Sequence, residues 1–263
     1  MLSSATAVSA RRASRHALLG LGLLLCATQA CLAQAAAAPA EERDPAVFSR
    51  LAQMGDYLRS LPSFVVKAET AKDEVLESGQ KVQFSGTLEY RYAKPDWLRA
   101  SVRTDRKWRE FYFDGKTLTQ VAPRMGYYGS VQIPGKVGEV MTGLAQRYDI
   151  DMPLADLFYW GTPSSGVDDV TAATLIGPAR IGGIETEHFA LRQAGVDWQI
   201  WIERGARPLP RKLVITTTEE PAQPQYSATL SWDLGAHTPA AAFTYAPPKG
   251  AHRIELTPLA KTN

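Results

Sequence analysis

The chain has 263 residues, 45% hydrophobic and 21% charged, enough for one large domain or two small ones to bury a core. Of its 29 Lys and Arg, three (Arg11, Arg12 and Arg15) lie in the first 33 residues, which hold no Asp or Glu; the remaining 26 face 27 acidic residues. That near-neutral balance excludes bulk electrostatic attraction to nucleic acid or to an anionic membrane surface, since both need clustered unpaired cations.

The three arginines precede an uncharged run from Ala17 to Ala30, rich in leucine from Leu18 to Leu25, with small residues at Ala30 and Ala33. A basic start, a short apolar centre and an A-x-A-like exit form the layout of a secretory signal peptide over residues 1–33. The apolar run falls short of the roughly 20 residues that span a bilayer, so the leader is read as cleaved, with no transmembrane span left after its removal. Arg11-Arg12 matches twin-arginine export poorly because Ala13-Ser14-Arg15 follows, and the general route is favoured. Both cysteines, Cys26 and Cys31, fall in the leader, so a mature exported chain starting after Ala33 has no disulfide, thiolate nucleophile or cysteine metal site. The alternative is a lipoprotein acylated at Cys31, which Ala30 suits and Thr28-Gln29 do not.

Residues 34–43 read as an Ala-rich mobile spacer, and a single domain is placed at residues 44–259. Asp44-Pro45 supplies an N-cap and first helical residue, and Val47, Leu51, Met54, Leu58 and Leu61 give one apolar stripe that ends at Pro62. The period then changes from 3.6 to 2. Phe64-Val65-Val66 opens a strand, Ser78-Gly79 turns, and Lys81 to Tyr92 alternates, with a slip expected around Gly86. Trp97 to Val102, Trp108 to Phe113, Thr117 to Val121 and Tyr127 to Ile133 follow, with Asp114-Gly115 a strong hairpin signal.

Val137, Val140, Met141, Leu144 and Tyr148 restore helical spacing, and Pro153 to Trp160 reads as a second short helix with proline in its first turn. After a polar loop to Asp169, strands resume at Thr174 to Arg180, Glu187 to Gln193, Val196 to Glu203, Arg211 to Thr217, Gln225 to Leu234 and Phe243 to Tyr245, with a last piece at Arg253 to Leu256. These elements predict a mainly β (α+β) fold: a curved antiparallel half-barrel of about ten to twelve strands, because twist accumulates in so wide a sheet. Three amphipathic helices would cover its concave face.

Some of these segments carry a resemblance. Val196 to Glu203 followed by Arg207-Pro208-Leu209-Pro210 and Arg211 to Ile215 resembles the paired strands of the LolA/LolB lipoprotein-carrier superfamily. Phe111-Tyr112-Phe113-Asp114-Gly115-Lys116-Thr117-Leu118 is similar to another hairpin of that group. Gly79 to Phe84 and Pro153 to Leu157 resemble a branch of predicted periplasmic proteins of unknown function. The resemblance spans nearly all of the chain beyond Asp44. It implies a half-barrel with a helical lid over an apolar cavity, used to carry or sense lipid-modified partners.

Within that frame, Phe84, Leu88, Tyr90, Tyr92, Phe111, Phe113, Met141, Leu144, Leu157, Phe158, Trp198, Ile200 and Ile202 are the candidate lining residues. Trp198, Ile200 and Ile202 share one strand face and Trp201 the other, so a one-residue register error would exchange the two tryptophans. Arg103, Arg106, Lys107 and Arg109 form a basic cluster suited to a lipid headgroup or an acidic partner.

Catalytic signals are weak. His188, His237 and His252 lack metal-ligand spacing, Glu185/Glu187 and Asp168-Asp169 lack a recognisable partner, and Ser164-Ser165 lacks an elbow. The reading is a non-catalytic binder of a lipid or lipoprotein amphiphile, with no catalytic residue, metal or cofactor. The alternatives are an envelope interaction module that binds another protein and, behind it, a hydrolase with a dispersed site.

Overall fold

Helix α1 (Pro45–Ser60) starts where the Asp44 side chain accepts the Ala46 N–H at 2.8 Å and stops where Leu61 turns extended before Pro62. Its buried stripe is Val47, Leu51, Met54 and Leu58. The computed structural model describes residues 43–150 and 152–259, all within one unit, Ala40–Asn263. The leader, Cys31 and the spacer through residue 42 lie outside the described residues.

The strands are β1 (Ser63–Val75), β2 (Lys81–Ala93), β3 (Trp97–Thr104), β4 (Trp108–Phe113), β5 (Thr117–Ala122), β6 (Tyr127–Gln132), β7 (Ala172–Ile181), β8 (Ile184–Gln193), β9 (Val196–Glu203), β10 (Pro210–Thr217), β11 (Gln225–Asp233) and β12 (His252–Arg253), with α2 (Val137–Tyr148) between β6 and β7. They form one curved sheet in the order β12-β6-β5-β4-β3-β2-β1-β11-β10-β9-β8-β7. Neighbours are antiparallel except β12, which runs parallel to β6. Two local meanders thus meet at β1, which pairs with β2 on one side and with β11 on the other, Val65 opposite Asp233.

Register carries one apolar face across the sheet. Tyr90 stands opposite Val66 and Ala100, and Ala100 opposite Phe111. In the other meander Ala68 faces Leu230, Leu213 faces Ala228 and Ile200, and Ile200 faces Phe189. These residues share a single core with the buried stripes of α1 and α2. Trp198, Ile200 and Ile202 point into that core, whereas Trp201 stacks on His188 across the outer face at 4.0 Å.

Cover over the inner face is partial for a reason of length. At 16 and 12 residues the helices run ~24 Å and ~18 Å, against ~43 Å for the 13-residue β1 and β2. Among the described residues no helix is long and apolar enough to cross a membrane.

The structure departs from expectation at several points. Pro153 to Trp160 is not an α-helix: only Ala155–Phe158 makes a 3-10 turn, because Leu154 before it is left-handed at φ 61° and breaks the helical path. Two helices and this turn, rather than three helices, form the cover. No slip occurs at Gly86, whose pairing with Thr70 and Thr104 is regular; glycine is needed there because a Cβ would stand 2.8 Å from the Arg103 carbonyl. The Phe243 to Tyr245 strand is replaced by a 3-10 turn at Ala240–Phe243, since an alanine run has no alternating face and only Phe243 anchors it, beside Trp97. The last strand shortens to two residues, after which Leu256 sits over Gly129 and Leu259 donates its N–H to the Arg147 carbonyl at 2.7 Å.

Candidate functional site

Where the cover stops, the inner face holds a cavity of about 420 Å³, within the roughly 300–1,000 Å³ typical of ligand pockets. Leu88, Phe84, Val102 and Phe111 supply apolar wall from β2, β3 and β4, and Ile150 and Pro153 close it from beyond α2. Lys72, Glu74, Arg106, Lys107, Arg109 and Asp149 stand around it, with Thr70, Gln120 and Tyr226 between.

Local structure sets each group. The β3–β4 turn is held by Thr104, whose hydroxyl accepts the backbone N–H of Arg106 at 3.3 Å and of Lys107 at 3.0 Å. From that turn the Arg106 guanidinium reaches Glu74 of β1 at 3.2 Å and covers the Phe84 ring of β2 at 3.8 Å. Arg109 donates to the Trp108 carbonyl at 3.1 Å. Lys72, Lys107 and Arg109 have no ion-pair partner among the described residues. Asp149 ends α2 in the left-handed region at φ 53°, which a short polar side chain tolerates. Ile150 then donates its N–H to the Leu144 carbonyl at 3.2 Å, which turns the chain toward the cavity.

Six of the seventeen residues singled out in the sequence therefore meet at one mouth: Phe84, Leu88, Phe111, Arg106, Lys107 and Arg109. The others are placed elsewhere. Tyr90, Phe113, Met141, Leu144, Leu157, Trp198, Ile200 and Ile202 are buried in the packed core at the covered end. Tyr92 and Phe158 pack against that core in an aromatic group with Phe64, centroids 5.1–6.1 Å apart. Tyr90 donates its hydroxyl to the Pro153 carbonyl at 2.6 Å, and burial, then the charge of Asp96, raises the Tyr92 phenol above its ordinary pKa. Beside Trp198 and Trp160 only a small void of about 110 Å³ remains.

Arg103 is not at the mouth, because its register position opposite Trp108 turns it to the outer face, where it stacks on that ring at 3.9 Å. A larger groove of about 690 Å³ lies there, between the β7–β8 turn and the outer side of β1 to β4. Most of its charges are already paired: Lys67 with Glu89, Arg99 with Glu110, and the buried Arg211 with Glu203 of β9.

Lys72, Glu74, Gln120 and Tyr226 were missed. A signal for two of them was present: the inward period of Phe64, Val66, Ala68 and Thr70 continues to Lys72 and Glu74 once β1 is carried past Val66.

The polar candidates for catalysis are occupied structurally. His188 lies between Trp201 and a hydrogen bond with Gln199 at 3.0 Å, Glu187 pairs with Arg50 at 3.2 Å, and Glu185 pairs with Arg180. Asp168 and Asp169 belong to a 3-10 turn, and Ser164 and Ser165 to the turn before it. Among the described residues no group of His, Cys, Asp and Glu is arranged to hold a metal ion.

A family model described as a predicted periplasmic protein, DUF2092, matches residues 48–257. No curated protein matches the chain. In structure it is similar to an uncharacterized conserved protein from Thermus thermophilus, at 11% identity and a TM-score of 0.47, covering 80% of this chain and 99% of that one. It is also similar to LprF from Mycobacterium bovis, at 15% identity and a TM-score of 0.42, covering 80% and 99%. A LolA superfamily protein from Nitrosomonas europaea matches at 10% identity and a TM-score of 0.36, covering 76% and 97%.

Proposed function

The chain belongs to the DUF2092 family of predicted periplasmic proteins, and from that premise we propose that it is exported by a leader cleaved near Ala33 and acts in the periplasm as a non-catalytic binding protein. It encloses the apolar part of a lipid, a lipoprotein acyl chain or a similar amphiphile between the half-barrel and its helical cover. The observation that carries this reading is the cavity at the edge of the cover, with Leu88, Val102 and Phe111 of the sheet as its apolar wall on one side and Ile150, just after α2, on the other. Burying acyl chain there contributes about 0.8 kcal/mol per methylene, so ten methylenes offset much of the cost of ordering a ligand.

The test is native mass spectrometry on chain purified from periplasm without detergent, followed by organic extraction. One lipid-sized adduct per chain is expected, and the N-terminal sequence should begin just after Ala33. Val102→Glu and Phe84→Glu, both at half-buried positions, should remove the adduct while leaving the thermal unfolding transition in place. An adduct that survives in both variants would move the ligand out of this cavity. A chain that stays bare after incubation with lipid vesicles would end the reading.

A further inference from the structure

The cavity's rim specifies a ligand of one charge. Resting on the binding reading above, we infer that the ligand is an anionic amphiphile whose headgroup takes the place that Glu74 now holds on Arg106.

Four cations, Lys72, Arg106, Lys107 and Arg109, stand around the cavity against two acids, Glu74 and Asp149. Beyond the leader the chain as a whole has one more acid than base, so this local excess is not inherited from composition. Two of the cations also lie on the apolar face of their strands, and the other two on the β3–β4 turn beside it. Lys72 stands directly opposite Phe84 and Arg109 directly opposite Val102. A cation beside an apolar side chain at each of two positions suits a molecule with a charged head and an apolar chain, and a solvated hairpin does not require it.

Arg106 shows how the head would be taken. Its guanidinium lies over the Phe84 ring at 3.8 Å and is neutralised at 3.2 Å by a carboxylate from β1. Both members of that pair are exposed enough for the bond to be weak and screened. A phosphate or carboxylate entering beside Lys107 and Arg109 gains charge-assisted bonds to cations without acid partners and replaces Glu74 on Arg106. A headgroup with no net charge gains less, because its own cation meets the same rim.

Two probes with the same chain separate head from tail: 1-oleoyl lysophosphatidylglycerol, which is anionic, and 1-oleoyl lysophosphatidylcholine, which is zwitterionic. Both are titrated below their micelle concentrations by calorimetry, with native mass spectrometry for stoichiometry. The anionic probe should bind about tenfold tighter or more in dilute salt, and the preference should shrink as salt is added. Glu74→Gln should tighten the anionic probe by about threefold and the zwitterionic one by less, since it frees Arg106. Arg106→Gln combined with Arg109→Gln should abolish the preference between the two probes. Inorganic phosphate at the same concentration should neither bind nor compete.

Equal binding of the two probes by the unaltered chain would overturn the headgroup assignment and leave enclosure standing. Failure to bind either would remove both. Competition by inorganic phosphate would make this a free-anion site, which also overturns the proposal. A Glu74→Gln variant with unchanged preference would remove the exchange on Arg106.

Discussion

Along β1 and β2 the inner face is finished in two ways: at one end Phe64, Val66 and Tyr90 lie under α1 and the 155–158 turn, and at the other Lys72 and Phe84 face a cavity. The strands, their register and their alternation are continuous between the two ends. What differs is cover, and with cover the kind of interaction that holds the sheet. The covered end relies on apolar packing. At the open end Asp73, turned to the outer face, ties three strands together by accepting from the Gln83 side chain at 3.1 Å and the Gln225 N–H at 3.2 Å, with Lys81 at 3.3 Å. A sheet can leave one end free for a ligand when polar ties on its other face replace the missing core.

The comparison breaks most severely at Phe113. Phe113→Ala at the covered end should cost about 3–5 kcal/mol in urea unfolding; a loss under about 1 kcal/mol would show that this end is not the stabilising one. Asp73→Ala should follow, at about 2 kcal/mol, and the effect should depend on pH. Burial opposes ionisation of Asp73, but the bonds from Gln83, Gln225 and Lys81 outweigh it and hold its carboxyl below the usual range. Its contribution is therefore full above about pH 4 and disappears as the pH falls through the lowered value. Unfolding midpoints of the two chains should converge in acid.

Gly55→Ala tests how closely α1 lies on its neighbour. The new Cβ would meet the Trp160–Gly161 backbone at 2.8 Å, and that strain should exceed the helical preference for alanine and leave a net loss of about 1 kcal/mol. The smallest effect belongs to Phe84→Ala, about 0.5 kcal/mol, because its ring has Arg106 on one side and the cavity beside it. If it destabilised as much as Phe113→Ala, the two ends would not differ in kind.

Local chemistry was legible in the sequence wherever it is complete within a few residues. Asp44-Pro45 and Leu61-Pro62 bounded α1, Asp114-Gly115 made the β4–β5 turn, with the Asp114 side chain accepting from Lys116 and Thr117, and alternation put Trp198 inside and Trp201 outside. The extent of the cover was not legible. Tyr90 and Phe84 occupy equivalent positions of one pattern, and only the tertiary placement of α2 and of Ile150 makes one core and the other cavity wall. The left-handed Leu154 carries no sequence mark, unlike a glycine, so the false helix over 153–160 could not be seen from composition. Arg103 and Arg109 looked alike as members of one basic cluster until pairing in β3 and β4 sent them to opposite faces.

The pairing of Val65 with Asp233 also joins the two ends of the domain's sequence at the middle of its sheet. The β2–β6 and β7–β11 meanders pair strands that are neighbours in sequence, whereas β1 finds its second neighbour, β11, far down the chain. Contacts so distant in sequence are slow to find. A seam between residues 65–72 and 226–233 cannot close before nearly all of the chain is present.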